Sequence, residues 1–148
     1  MTIQVTKSKL IENIYRNFFD IVRASDSIFT NIIYAAMPDF ELTKVNSYPI
    51  IILNDPKLKS EQKTMEKSKN GGVIIFEVYT TDAKLTAQYA DKLIDAIEIN
   101  KGTLADNGIH EVFNGETNGD TIPYGKVKVH IKFIPFTFVV YTSKTHAY

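Results

Sequence analysis

Pro49-Ile50-Ile51-Ile52-Leu53 and Val73-Ile74-Ile75-Phe76-Glu77-Val78-Tyr79 are two strongly apolar runs, and Asn54 to Gly71 lies between them as a polar stretch. The runs are short, rich in β-branched residues and bounded by turn-forming residues, so each reads as a buried strand. Proline suits the first residue of a strand, which places Pro49 at the head of the first. The stretch between carries Lys57, Lys59, Lys63, Lys67 and Lys69 together with Asp55, Glu61 and Glu66. A compact domain seldom keeps so long a connection without using it. The reading is a long loop or hairpin arm over 54–71, with Asn70-Gly71-Gly72 punctuating the return to the second strand.

On the N-terminal side, Leu10, Ile11, Ile14, Tyr15, Phe18, Phe19 and Val22 recur at helical spacing and give a helix of roughly five turns. Thr6 or Ser8 is expected to cap it, and Ser25-Asp26-Ser27 to end it. Its apolar stripe reads as core packing, with a subunit interface as the alternative. Ile28 to Ala36 is ambiguous between strand and helix: Ile32, Ile33 and Tyr34 favour strand, Ala35, Ala36 and Met37 do not, and Pro38 stops either. Asp39 to Ser47 reads as a loop or an edge.

On the C-terminal side, Thr81 or Asp82 should cap a second helix, Ala83 to Ile99. Leu85, Tyr89, Leu93 and Ile97 form its stripe, Ala90, Ile94 and Ala96 widen it, and Lys101-Gly102 ends it. From Asp106 to Gly125 turn signals dominate: Asn107-Gly108, Asn114-Gly115 and Asn118-Gly119 each suit a tight turn. A short strand is expected at Ile109 to Phe113. Val127, Val129, Ile131 and Phe133 then alternate with Lys126, Lys128, His130 and Lys132, a period of two that gives one apolar, inward face and one basic, outward face. Pro135 should introduce a bulge or bend before strand resumes at Phe136 to Tyr141. Ser143 to Tyr148 reads as a frayed tail. The sum is a single α+β domain over 1–148, a mainly antiparallel sheet flanked by two main helices.

Composition limits the function. The 148 residues suffice for one sizeable core, and 17 basic side chains balance 17 acidic ones. That balance argues against a general nucleic-acid binder. Cysteine is absent, so disulfides and thiolate metal sites are excluded. No apolar run approaches the roughly 20 residues of a membrane span, and the first residues lack the apolar core of a signal peptide. The expectation is a soluble, intracellular product.

The search for chemistry finds little. His110, His130 and His146 are not spaced as metal ligands, and no HExxH, GxSxG, P-loop or GxGxxG occurs. Asp106, Glu111, Glu116 and Asp120 do not follow calcium-loop spacing and read as a solvated loop. Glu77, set in an apolar strand, needs a partner if buried. Lys126, Lys128 and Lys132, with His130, form a basic strip suited to an acidic protein or a phosphate backbone; alternatively, they are the solvent face of an edge strand. No catalytic, cofactor or metal residue is assigned, and no enzyme activity is expected. The candidate protein-contact residues are Lys57, Lys59, Lys63, Lys67, Lys69, Lys126, Lys128 and Lys132.

Taken in order, the opening helix Leu10 to Val22, the Pro-led strand Tyr48 to Leu53, the polar connection, the strand Val73 to Thr80, and the capped helix with its run Ala90-Asp91-Lys92-Leu93-Ile94-Asp95-Ala96-Ile97 are followed by Leu104, Gly108 and a long terminal strand pair. From about Leu10 to Tyr141 this order resembles the tail terminator, or tail-completion, proteins of long-tailed bacteriophages and related tailed viruses. The resemblance implies a virion protein of the tail-neck region, made in the host cytoplasm. It would form a hexameric ring with itself, stop polymerisation of the tail tube protein and present a surface to the head-closure or connector protein. Passing contact with DNA in the lumen would follow, and no membrane contact. The alternatives are another neck or tail component, such as a head-closure or tube-like protein, and a small nucleic-acid-binding module using Lys126, Lys128 and Lys132. In the first reading the 54–71 stretch is expected to project from a core that does not need it and to order on a neighbouring subunit or tail protein.

Overall fold

A computed structural model describes residues 3–38, 43–44, 47–62 and 67–143; the side chains of residues 7, 60–62, 67–68 and 142–143 are outside that description. The elements run α1 (Leu10–Ser25), β1 (Ile33–Tyr34), β2 (Ile50–Leu53), β3 (Lys57–Gln62), β4 (Lys67–Thr80), α2 (Ala83–Ile99), α3 (Lys101–Asp106), β5 (Ile109–Asn114), β6 (Asn118–Tyr124) and β7 (Val127–Ser143). The class is α+β, with a mostly antiparallel seven-stranded sheet and two main helices.

The spine of the sheet is the antiparallel pair β4 and β7, matched without interruption from Lys67 opposite Ser143 to Thr80 opposite His130. At 3.4 Å per residue this ribbon is about 44 Å long. Shorter strands line both of its edges in tandem. β3 and then β2 pair with β4, β5 and β6 pair with β7, and β1 joins β2 as the one parallel neighbour.

The 54–71 stretch is thus the hairpin arm rather than the loop. Lys57 to Gln62 pair with Val73 to Ser68, so β4 begins six residues earlier than its apolar run. The arm also belongs to the core, contrary to the expectation that the core does not need it. Leu58 packs against the main cluster, and it meets Phe138 across Gly72. Asn70-Gly71-Gly72 is therefore strand, not turn. Gly72 is required by close approach: a Cβ there would lie 2.6 Å from Leu58 Cδ2, 2.8 Å from Phe138 Cζ and 2.8 Å from the Lys57 carbonyl oxygen.

β7 buries two different faces in succession. Val129 and Ile131 join Ile50, Ile52 and Tyr79 in a small core on one side of the sheet. Ile134, Phe136, Phe138 and Val140 join α1 and α2 in the main core on the other. The apolar phase shifts at Phe133-Ile134, where two adjacent apolar residues point to opposite faces. The apolar row 127–133 therefore faces away from the helices, not toward them. Pro135 causes no bulge against β4; Ile75 sits opposite it in unbroken register. Its carbonyl accepts from Gly115 N at 2.8 Å and Asn114 Nδ2 at 3.1 Å. The missing N–H is on that same edge, at the gap between β5 and β6, where no ladder bond is lost.

In the main core Phe18 lies 6.3 Å from Phe136 and 5.8 Å from Phe138, ring centre to ring centre, and Phe76 meets Phe136 edge-on at 6.0 Å. Each such phenylalanine contributes about 1.5–3 kcal/mol through burial. Two buried asparagines on α1 tie down the chain start. Asn17 Nδ2 donates to the Ile3 carbonyl at 2.7 Å, and Asn17 Oδ1 accepts from Asn107 Nδ2 at 2.9 Å. Asn13 Nδ2 donates to the Gln4 carbonyl and to Thr6 Oγ1, each at 3.2 Å. Thr6 thus accepts from α1 without capping it; a 3-10 turn, Lys7–Lys9, leads into the helix instead.

Other local expectations change. Ile28 to Ala36 is mostly not strand: Ser27–Phe29 is a 3-10 turn capped by Asp26, Phe29 is core, and only β1 pairs. α2 is capped by Asp82, which accepts from Lys84 N at 2.9 Å, and it ends at Ile99, so Lys101-Gly102 opens α3 instead of closing α2. Asn118-Gly119 lies inside β6, a strand that the turn signals concealed. Gly108 does adopt the positive φ expected of Asn107-Gly108, and Gly125 makes the turn into β7. Ser143 closes β7, and the rest of the expected tail, 144–148, lies outside the described residues.

Replacing Gly72 with valine should destabilise the domain by about 1–3 kcal/mol through overpacking. Gly71→Val, where a Cβ meets nothing within 4 Å, should cost much less. Urea unfolding of the two variants measures the difference.

Candidate protein-contact surfaces

Side chains on neighbouring strands share a face when their residues stand opposite one another. At the arm end, Lys57, Val73, Thr137 and Phe113 form one such row, and Lys59, Gly71, Val139 and His110 form the next. Lys69 and Tyr141 begin a third. All of these lie on the face opposite the helices. Here the second core has ended, and no described element covers the sheet. Val73, Ile75, Pro135 and Val139 are half-buried, while Phe113 and Tyr141 are 60% and 48% exposed. Tyr141 stacks obliquely near His110, with ring centres 6.3 Å apart, and Lys101 Nζ lies 5.3 Å from the centre of the Phe113 ring. The result is an apolar sheet face bordered by Lys57, Lys59 and Lys69, with Lys101, paired to Glu98 at 3.0 Å, beside Phe113.

The sheet separates the lysines singled out from sequence. Lys57 and Lys59 are exposed and Lys69 is half-buried, all at the arm end. Lys63 and the side chain of Lys67 lie outside the described residues. Lys126, Lys128 and Lys132 are at the other end of the ribbon; Lys128 and Lys132 point to the helix side. Lys132 does not guard an edge, because β4 and β6 flank it, whereas Lys128 lies beyond the last pair with β4 and has β6 alone beside it. Lys132 and His130 are half-buried and line a cleft of about 260 Å³ with Asp120, Thr121 and Thr86. Thr121 Oγ1 is 3.1 Å from His130 Nδ1. On this face the strip is flanked by Thr121 and Gly119 of β6 and by the start of α2.

Glu77 finds its partners within the chain: Asn54 Nδ2 donates to one carboxylate oxygen, and the Tyr79 hydroxyl donates to the other at 2.6 Å. Burial, reinforced by Glu77, holds the Tyr79 hydroxyl well above the usual tyrosine range. This bridge joins the β2–β3 connection to β4, and a subunit contact is not needed to explain it. Among the described residues, no three His, Asp or Glu side chains gather as a metal site, and no helix is long and apolar enough to cross a membrane.

A second surface arises because the stripe of α1 is wider than one core needs. Ile14, Phe18, Ile21 and Val22 are buried, but Ile11, Tyr15 and Phe19 form a parallel ridge at i, i+4 and i+8. Ile11 is 51% exposed, and Tyr15 stacks on Phe19 with ring centres 5.8 Å apart. With Glu12, Arg16 and Asp55 they line an open groove of about 570 Å³. The Tyr15 hydroxyl is buried and has no hydrogen-bond partner among the described residues. Burial first, and the Asp55 carboxylate second, push it up to about 12.

No family model and no curated protein matches the chain in sequence. Solved structures do match in fold. One is a chain of the virion of a native gene transfer agent particle, with a TM-score of 0.54 and 11% identity, covering 84% of this chain and 91% of that one. At that identity the likeness is one of fold, and it extends over nearly the whole of both chains.

Tyr15 gives a pH prediction. A tyrosine whose pKa is raised on folding contributes stability that is complete below its usual value of 10 and is lost as pH rises through about 12. Unfolding free energy should therefore fall between those values more steeply in the wild type than in Tyr15→Phe, as read by denaturant titrations at each pH.

Proposed function

We propose that this chain is a structural protein of a tailed virus or virus-like particle, and specifically a tail terminator. In this reading it forms a ring on the last turn of the tail tube, stops the tube protein from adding further, and presents its other side to the head-closure or connector protein. Its place would be the tail-neck region of the virion. The work is binding, and no catalysis is required.

The observation that carries the reading is the fold shared, over most of both chains, with a chain of a gene transfer agent virion. The surfaces agree with it. Large apolar side chains are exposed at places the two cores leave free: Phe113 and Tyr141 on the sheet, Ile11 on α1, and Ile99 at the end of α2. A protein that works by contact needs such patches on more than one side. A ring requires two different patches on each subunit, because its contacts are heterologous.

Another neck component would share the fold but not the defect. Removing a terminator should give particles with overlong tails, whereas removing a head-closure protein should give heads that leak DNA. The expected result on deleting this gene is overlong tails, scored by electron microscopy of lysates. Tails of normal length would refute the terminator role.

A further inference from the structure

We infer that the groove on α1 is filled by a second copy of this chain, which inserts the basic, apolar sheet face at its arm end. The inference supplies the contact surface for the proposed ring and in that respect rests on the reading above.

Three observations support this pairing. The first is charge. The exposed carboxylates Glu12 and Asp55 border the groove, and the one cation lining it, Arg16, is engaged with Asp20 at 3.6 Å. The sheet face offers Lys57 and Lys59, both exposed, with Lys69 beside them. A chain whose charges cancel overall thus carries an acidic-bordered patch and a basic-bordered patch, the arrangement that favours head-to-tail contact between copies over contact of like with like.

The second is shape and composition. The groove is open and lined by Ile11, Tyr15 and Phe19. The sheet face is a row of half-buried aliphatic side chains from which Phe113 and Tyr141 stand out. Burying aromatic anchors in an apolar recess inside a charged rim is how protein interfaces gain most of their affinity. The third is the Tyr15 hydroxyl, buried in the free chain without a partner. A buried polar group is costly until it is hydrogen-bonded, and a lysine ammonium arriving between Glu12 and Asp55 is a suitable donor.

The two patches are on opposite sides of the sheet, because α1 packs on the face that buries Phe136 and Phe138 whereas Val73 and Val139 occupy the other. One copy therefore cannot satisfy its own groove, and the contact cannot be two-fold symmetric. It must be heterologous, closing into a ring or continuing as a filament.

Charge reversal tests this without touching either core. One variant carries Lys57→Glu and Lys59→Glu; the other carries Glu12→Lys and Asp55→Lys. Circular dichroism and thermal unfolding should show both folded as in the wild type. In sedimentation experiments at low salt the wild type should assemble, and each variant alone should associate about tenfold or more weakly. An equal mixture of the two should assemble again, since every contact in an alternating array then joins opposite charges. Ile11→Asp, an exposed position, should weaken wild-type assembly in the same assay. A wild type that stays monomeric at its highest soluble concentration would overturn the inference. So would variants that assemble as well as the wild type, or a mixture that remains dissociated. Failure of the terminator reading looks different: the chain would assemble by these surfaces while tails in the deletion strain keep their normal length.

Discussion

The uninterrupted pairing of β4 with β7 is the constraint on which the rest of this domain depends. Fourteen consecutive residue pairs make a ribbon too long to be covered by one helical layer. The sequence meets this by changing which face is apolar at Phe133-Ile134, so that each half of the ribbon has its own core. One half is buried under α1 and α2. The other is buried on the reverse side, by Tyr34, Tyr48, Ile122 and Tyr124. Because the second core stops short of the arm, the reverse face of the arm end is left open. The exposed sheet surface is a consequence of the phase change, not an addition to the fold.

Period-two and period-3.6 patterns made most of this legible beforehand. α1, α2, β2, β5 and β7 lie close to where their apolar spacing puts them, and Asp82 caps α2 as its position suggests. What failed did so for identifiable reasons. Lys57 to Asn70 looked like a connection because its residues are polar, but Leu58 packs on the core, Asn70 is buried as a polar residue, and β3 is held by ladder bonds to β4. Asn118-Gly119 outweighed the weaker alternation of Ile122 and Tyr124, and β6 was lost. The proline at 135 suggested a broken ladder, yet its one missing donor falls where two partner strands change over. The adjacent apolar pair Phe133-Ile134 was a readable sign of the face change, since strict alternation allows no such doublet.

The contact surfaces were less legible. Lysine content drew attention to both the arm and the strip of Lys126, Lys128 and Lys132, but charge alone could not say that these lie at opposite ends and on opposite sides of a ribbon about 44 Å long. In the strip, the start of α2 partly covers His130 and Lys132. In the arm, the lysines border an apolar face and so acquire a different meaning. The groove on α1 was present in the sequence as excess width: Ile11, Tyr15 and Phe19 are more apolar surface than a one-sided helix needs, and Ile11 is left 51% exposed.

A domain arranged in this way, with two cores and unsatisfied patches on both sides of its sheet, suits a part in a larger assembly. The central claim is that this part is the ring ending a tail tube, and imaging tests it most directly. Purified chain mixed with tail tubes and viewed by electron microscopy should place a ring at one end of each tube, with tube growth halted at that end. Tubes that stay bare at both ends and continue to lengthen would contradict it.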